Sequence, residues 1–174
     1  LYCPRWVEAR DKKTGEMLFQ SKNLWVIMDM IKGRPERPSY IDGRLPYVDP
    51  QLRHFDPALP KFPTEDEYNE GSFDSLKVHP TYYDTDYNRH VNNISYIVWL
   101  MESFPHEYLD HNLPEFFDVE WKKQCHLGDE IRVETKKKEN SEEYYTKILR
   151  KCEDGSEEIA FHGITRWRKR VLDK

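Results

Sequence analysis

The sequence predicts an α+β fold, in which one apolar helix lies on one face of an antiparallel sheet, and three observations predict it. Ile94, Ile97, Val98, Met101 and Phe104 recur at intervals of three and four, the period of a helix with one apolar face. Four strand-like runs follow, over 116–125, 130–137, 142–151 and 157–168, with polar turns at 128–129, 139–141 and 153–156 between them. A further run over 73–83, with Leu76, Val78, Tyr82 and Tyr83, leads toward the helix. A strand, a helix and then strands joined by short turns place the helix against one face of the sheet.

Taken in order, the chain opens with two strand-like runs, 5–10 and 16–28. The polar stretch 11–15, ending in Gly15, reads as the hairpin turn between them, and Leu24 to Met28 is nearly continuously apolar. From Lys32 the composition shifts. Pro35, Pro38, Pro46, Pro50, Pro57, Pro60 and Pro63 each remove a backbone donor and restrict the residue before them, so neither helix nor central strand persists and a linker is expected. A single helical turn is expected at 49–55. After the acidic stretch 65–70 come the run over 73–83, the main helix, and a short piece at 106–111 behind Pro105. The last four runs complete the sheet. One sheet with one central helix is the hotdog architecture. The opening hairpin and the closing pair of runs look alike, a strand, a charged turn with Gly and a strand with a Trp, which reads as the end of an earlier copy of the same unit.

Composition narrows the function classes. The 174 residues suffice for one ordinary domain, and aromatics at 14% supply core volume. No run of about 18 apolar residues is present, so no membrane span is expected; nor is there a basic-then-apolar leader. The formal charge of −5 argues against nucleic acid as a partner. Cys3, Cys125 and Cys152 are odd in number and lack metal-ligand spacing, so a reducing, cytoplasmic setting is expected, with no metal and no cofactor.

The candidate chemistry lies just before the helix. Asp84, Asp86, Asn88, His90, Asn92 and Asn93 crowd one short stretch, and Asn92 or Asn93 is suited to cap the helix through its side-chain oxygen. A helix start offers unpaired backbone donors and partial positive charge, which suits an oxygen that becomes negative in a reaction. Capping alone also explains Asp and Asn here, and Asp86 has a second reading as an Asx-type loop former. Tyr96, Trp99 and Trp121 read as core.

The stretch DTDYNRHVNNISYIVWLMES resembles the second-domain signature of the plant and bacterial acyl-acyl-carrier-protein thioesterases, including its Asp-x-Asn-x-His-Val-Asn-Asn core. VEWKKQCHLG, at 119–128, resembles a second motif at the family's distance, and RDKKTGEMLFQSKNLWVIMDMIKGRPERP resembles the end of its first domain. The resemblance implies a tandem double-hotdog protein, with 1–31 the last strands of an incomplete first domain, 32–72 a linker and 73–174 a complete second domain. It implies hydrolysis of a fatty acyl thioester on acyl carrier protein, without a cofactor, and leaves a homodimer open. Asp86, Asn88, His90 and Cys125 match its catalytic positions. Gln124 stands where the plant enzymes have a Glu, and an amide cannot take a proton as a carboxylate does.

Two routes fit these groups. In one, Cys125 attacks, His90 activates it and Asn88 orients His90. In the other, water attacks, polarised by His90 or Asp86 and positioned by Asn88, Gln124, Asn92 and Asn93. The alternative for Cys125 is an inert buried strand cysteine. Lys122, Lys123 and the run from Arg166 through Arg168 to Arg170 are the candidate docking surface for an acidic carrier protein. Two rival functions remain: a coenzyme A thioesterase, and a non-catalytic module that binds acyl chains or dimerises.

Overall fold

The computed structural model describes residues 2–29, 31–37, 39, 62, 65–68, 70–73 and 75–171. It divides into two compact units, 1–61 and 62–174. In the first unit, β1 (Tyr2–Arg10) and β2 (Met17–Asp29) form an antiparallel hairpin, and β3 (Arg34–Glu36) adds a third strand along β2. The hairpin turn is held as the sequence predicts: the Asp11 carboxylate accepts the backbone N–H groups of Lys13 and Thr14 at 2.8 and 2.7 Å. The expected helical turn at 49–55 lies outside the described residues.

The second unit holds β4 (Glu70–Ser72), β5 (Leu76–Val78), α1 (Asn93–Glu102), α2 (His106–His111), β6 (Asn112–Trp121), β7 (Ile131–Lys137), β8 (Glu143–Lys151) and β9 (Glu157–Lys169). Its six strands form one antiparallel sheet in the order β4-β7-β8-β9-β6, with β5 also on β7. The linker expected over 32–72 is thus narrower among the described residues, since β3 pairs with β2 and β4 with β7. Both are three-residue edge strands. Pro35 in β3 and Pro114 in β6 sit where a missing donor costs no ladder bond to a further strand, and β6 bulges after Pro114.

Helix α1 lies against one face of this sheet, and the stripe of Ile94, Ile97, Val98, Met101 and Phe104 that periodicity picks out is buried only in part: Phe104 is in the core and Ile97 and Met101 pack against it. Tyr96, Trp99 and Leu100 are buried, together with Phe104 just beyond the helix, whereas Ile94 and Val98 are 61% and 49% exposed. The helix carries apolar residues on two stripes of equal period, so spacing alone does not choose; Tyr96, Trp99 and Leu100 are the ones fully packed into the core. Gly163 on β9 makes room for Leu100, because a Cβ there would stand 3.2 Å from Leu100 Cδ1 and 3.0 Å from Val119 Cγ1. Beneath the end of the helix, the buried hydroxyls of Ser103, Thr135 and Thr146 form a chain with contacts of 2.6 and 2.7 Å, so none of them is left unpaired in the core. The other face of the sheet carries a second cluster of Tyr68, Tyr145 and Ile164, with Phe62 against it.

Two further boundaries differ from expectation. The run predicted over 73–83 is a strand only at β5, because Pro80 removes a donor and 82–84 forms a 3-10 turn. The strand predicted over 116–125 is shifted: β6 ends at Trp121, so Cys125 lies in a loop rather than in a strand. Trp121, expected in the core, is 40% exposed and makes an edge contact with the core ring of Phe161.

Candidate active site

Two short segments meet at the start of α1. The first is a miniature hairpin. Thr85 bridges Val91, the Asp86 N–H donates to the His90 carbonyl at 2.9 Å, and the Arg89 N–H donates to the Asp86 carbonyl at 3.0 Å. Arg89 closes the loop in the left-handed conformation, φ 64°, as a three-residue hairpin loop requires. The Asp86 carboxylate holds the loop from inside: Oδ1 accepts the N–H groups of Asn88 (2.8 Å) and His90 (3.4 Å), and Oδ2 lies 3.5 Å from the Asn88 side-chain nitrogen. The segment then enters the helix. Asn92 is the cap, its Oδ1 accepting the Ile94 N–H at 3.0 Å, and the Asn92 N–H donates to the Asp84 carbonyl at 2.7 Å. Asn93 is the first helical residue and is exposed.

The second segment, 123–126, comes from the loop after β6. It is fixed to the first by a hydrogen bond from the Val91 N–H to the Cys125 carbonyl, 2.8 Å, and by an antiparallel bridge between His90 and His126. It is fixed to the helix by Tyr96, whose hydroxyl accepts the Cys125 N–H at 2.9 Å and donates to the Lys123 carbonyl at 3.4 Å.

This register separates two groups that the covalent route needs together. Neighbouring residues of an extended pair alternate between faces. Val91 and Cys125 face inward, 5% and 0% exposed, within the main core cluster. His90 and His126 face the other way, their rings edge to face with centroids 5.3 Å apart. Burial pushes the Cys125 thiol up from its ordinary range, with the Tyr96 hydroxyl opposing only in part. An attacking cysteine needs the reverse, a stabilised thiolate.

The structure thus brings Asp86, Asn88, His90, Asn92 and Asn93 together with Gln124, Cys125 and His126, and splits them by face. Gln124 is exposed, its carbonyl held by Arg150 at 2.7 Å. Lys122 and Lys123 are exposed beside it, both N–H groups donating to the Ala160 carbonyl. Arg166 and Arg168 stand elsewhere, since Arg166 follows Ala160 by roughly 20 Å of β9, and Arg166 lies over the Phe116 ring. The two groups of basic residues do not form one patch. Sequence reasoning missed His126 and the clamping role of Tyr96; the alternation of Gln124 and His126 about an apolar Cys125 was the only available signal for the former. A shallow, open cleft of about 500 Å³ lies apart from these residues, lined by Lys77, His79, Glu130, Arg132, Lys151 and Glu157 among others. Among the described residues, no three His, Cys, Asp or Glu side chains are arranged to hold a metal, and no helix is long and apolar enough to cross a membrane.

Comparison with known proteins agrees with this architecture. Residues 67–169 match the family described as the acyl-ACP thioesterase C-terminal domain. The chain is 28% identical over 193 aligned positions to oleoyl-acyl carrier protein thioesterase 2, chloroplastic, of Arabidopsis thaliana, covering 95% of this chain and 51% of that one. It is 27% identical over 170 positions to dodecanoyl-[acyl-carrier-protein] hydrolase, chloroplastic, of Cinnamomum camphora, covering 95% and 44%. The chain therefore spans about half the length of the curated relatives it matches. Among solved structures, the 12:0-ACP thioesterase of Umbellularia californica superposes with a TM-score of 0.69 at 23% identity, over 96% of this chain and 62% of that one. An acyl-ACP thioesterase of Bacteroides thetaiotaomicron gives 0.68 at 19%, over 97% and 63%. These two likenesses carry the hotdog fold. With its residues 67–169 forming the C-terminal domain, the chain belongs to the acyl-ACP thioesterase family.

Proposed function

We propose that this chain hydrolyses fatty acyl thioesters carried on acyl carrier protein, releasing the free fatty acid and the carrier protein. The observation that carries this reading is the convergence of the 86–90 loop and the 124–126 segment at the start of α1, within a domain of this family. Relatives at 27–28% identity bear the names of acyl-carrier-protein thioesterases and hydrolases.

The geometry favours water over sulfur as the nucleophile. Cys125 is turned into the core, where burial disfavours its thiolate, so it serves as a packing residue. Asp86 spends its carboxylate on the loop's backbone and acts by fixing Asn88 and His90. In this reading Asn88 and the His90 imidazole meet the thioester carbonyl and the water, at a helix start where developing negative charge is favoured. Lys122 and Lys123, exposed beside Gln124, form the near part of the docking surface for the acidic carrier protein. A homodimer through the exposed side of α1, where Ile94 and Val98 stand, belongs to the same reading.

The test is release of free thiol by the full chain from acyl-carrier-protein and acyl-coenzyme A thioesters. Faster release from the carrier protein, weakening as salt is raised, is expected, because exposed charges act over about 8–10 Å at ordinary ionic strength. Preference for coenzyme A esters would move the assignment to an acyl-CoA thioesterase. Absence of thiol from either substrate would leave only a binding module.

A further inference from the structure

The Asp86–His90 loop presents one imidazole, and the structure sets a second beside it. His126 is the cross-strand partner of His90, and the two rings meet edge to face at 5.3 Å. His126 is exposed and held in place by a turn of its own: its N–H donates to the Asp129 carboxylate at 2.9 Å, and the Asp129 N–H donates back to the His126 carbonyl at 3.2 Å. Gly128, at φ 89°, supplies the left-handed step that lets this turn close. Among the described residues, neither ring has a hydrogen bond, so all four ring nitrogens are available to substrate and water.

Direct attack by water needs a group that takes its proton, and the nearby alternatives are spent or unsuited. The Asp86 carboxylate is engaged by backbone N–H groups. Gln124 is an amide, with no basic lone pair to offer. Cys125 is buried on the other face. An imidazole is the side chain best suited to this work near neutral pH.

Resting on the hydrolytic reading above, we propose that His126 is the general base of the site and that His90 donates its N–H to the thioester oxygen. The water oxygen bonds to the carbonyl carbon while a His126 ring nitrogen takes the water's proton. The carbonyl π pair moves onto the oxygen held by His90. When that pair returns, the carbon–sulfur bond breaks, sulfur leaves with its electrons and takes the proton back from the His126 imidazolium. The products are the carboxylic acid and the thiol, and both imidazoles are restored. Charged groups near the pair include Asp86 and Arg89 on the His90 loop, Asp129 at the His126 backbone, and Arg150 within 3.9 Å of Asp129.

The experiment compares the full chain with His126→Gln and with His126→Gln combined with Gln124→Glu, which puts a carboxylate on the same exposed side of the segment. Loss of a general base predicts a fall in kcat of about 100-fold with KM little changed. Gln124→Glu, in that background, is expected to recover at least about tenfold of the loss, because a carboxylate can take the proton. A kcat within about threefold of the parent overturns the assignment, as does a fall expressed in KM or one that Gln124→Glu does not relieve. An inactive parent chain instead brings down the hydrolytic reading, and this assignment with it. An active parent with an unaffected His126→Gln brings down this assignment alone.

Discussion

The hydroxyl of Tyr96 holds the backbone of Cys125, accepting its N–H at 2.9 Å from within the core. Helix α1 thereby fixes the segment that carries Gln124 and His126, and the thiol between them is turned inward. Tyr96→Phe removes the acceptor while keeping the ring, leaving a buried N–H without a partner. A loss of about 1–3 kcal/mol is expected, read as a lower urea midpoint with an unchanged slope. An unchanged midpoint would mean that the clamp contributes nothing.

Cys125 is a packing residue in this account. Cys125→Ala is expected to keep thiol release within about threefold of the parent and to cost about 1 kcal/mol of stability, as for a small buried group. In the native chain, iodoacetamide should modify the partly exposed Cys3 and Cys152 before Cys125, because the Cys125 thiol is buried and its ionisation is pushed up. Peptide mass spectrometry gives the order. Cys125 reacting first, or Cys125→Ala abolishing turnover, would restore the covalent route.

The Asp86–His90 loop separates shape from charge. Asp86→Asn keeps an oxygen that can accept the Asn88 and His90 N–H groups, whereas Asp86→Ala leaves both without it. The amide variant should retain most of the activity and the alanine variant lose it by more than about tenfold, as befits an Asx-type turn. Equal losses in both would point to the charge itself as the essential feature.

Arg89 adopts a left-handed conformation that disfavours a Cβ-bearing residue. Arg89→Gly relieves that cost and is expected to raise stability by about 1 kcal/mol, visible as a higher melting temperature. A lower one would show that the arginine side chain contributes more than its backbone strain.

Gly163 is where the side chain of Leu100 on α1 comes close to the backbone of the sheet. Gly163→Ala puts a methyl group 3.0 Å from Val119 and 3.2 Å from Leu100, a close contact in a filled core. An overpacking cost of about 1–3 kcal/mol is expected. A neutral result would show that Val119, near the sheet's edge, yields.

The sequence by itself determined the order of the long strands and of the main helix, and the place of the polar cluster, but not the short edge strands β3 and β4. Turn chemistry such as Asp11 before Gly15, capping by Asn92, and the 3.6 and 2.0 residue periods are local properties, so they can be read without knowing what lies across the fold. That Tyr96 is buried and Ile94 exposed was settled only by packing against the sheet, because both lie on apolar stripes of the same period. Only the tertiary structure decided that Cys125 and His90 look away from each other and that His126 stands beside His90. That outcome depends on the pairing register of two segments more than thirty residues apart in the chain; a slip of one residue would exchange the faces, and no pattern within either segment encodes it.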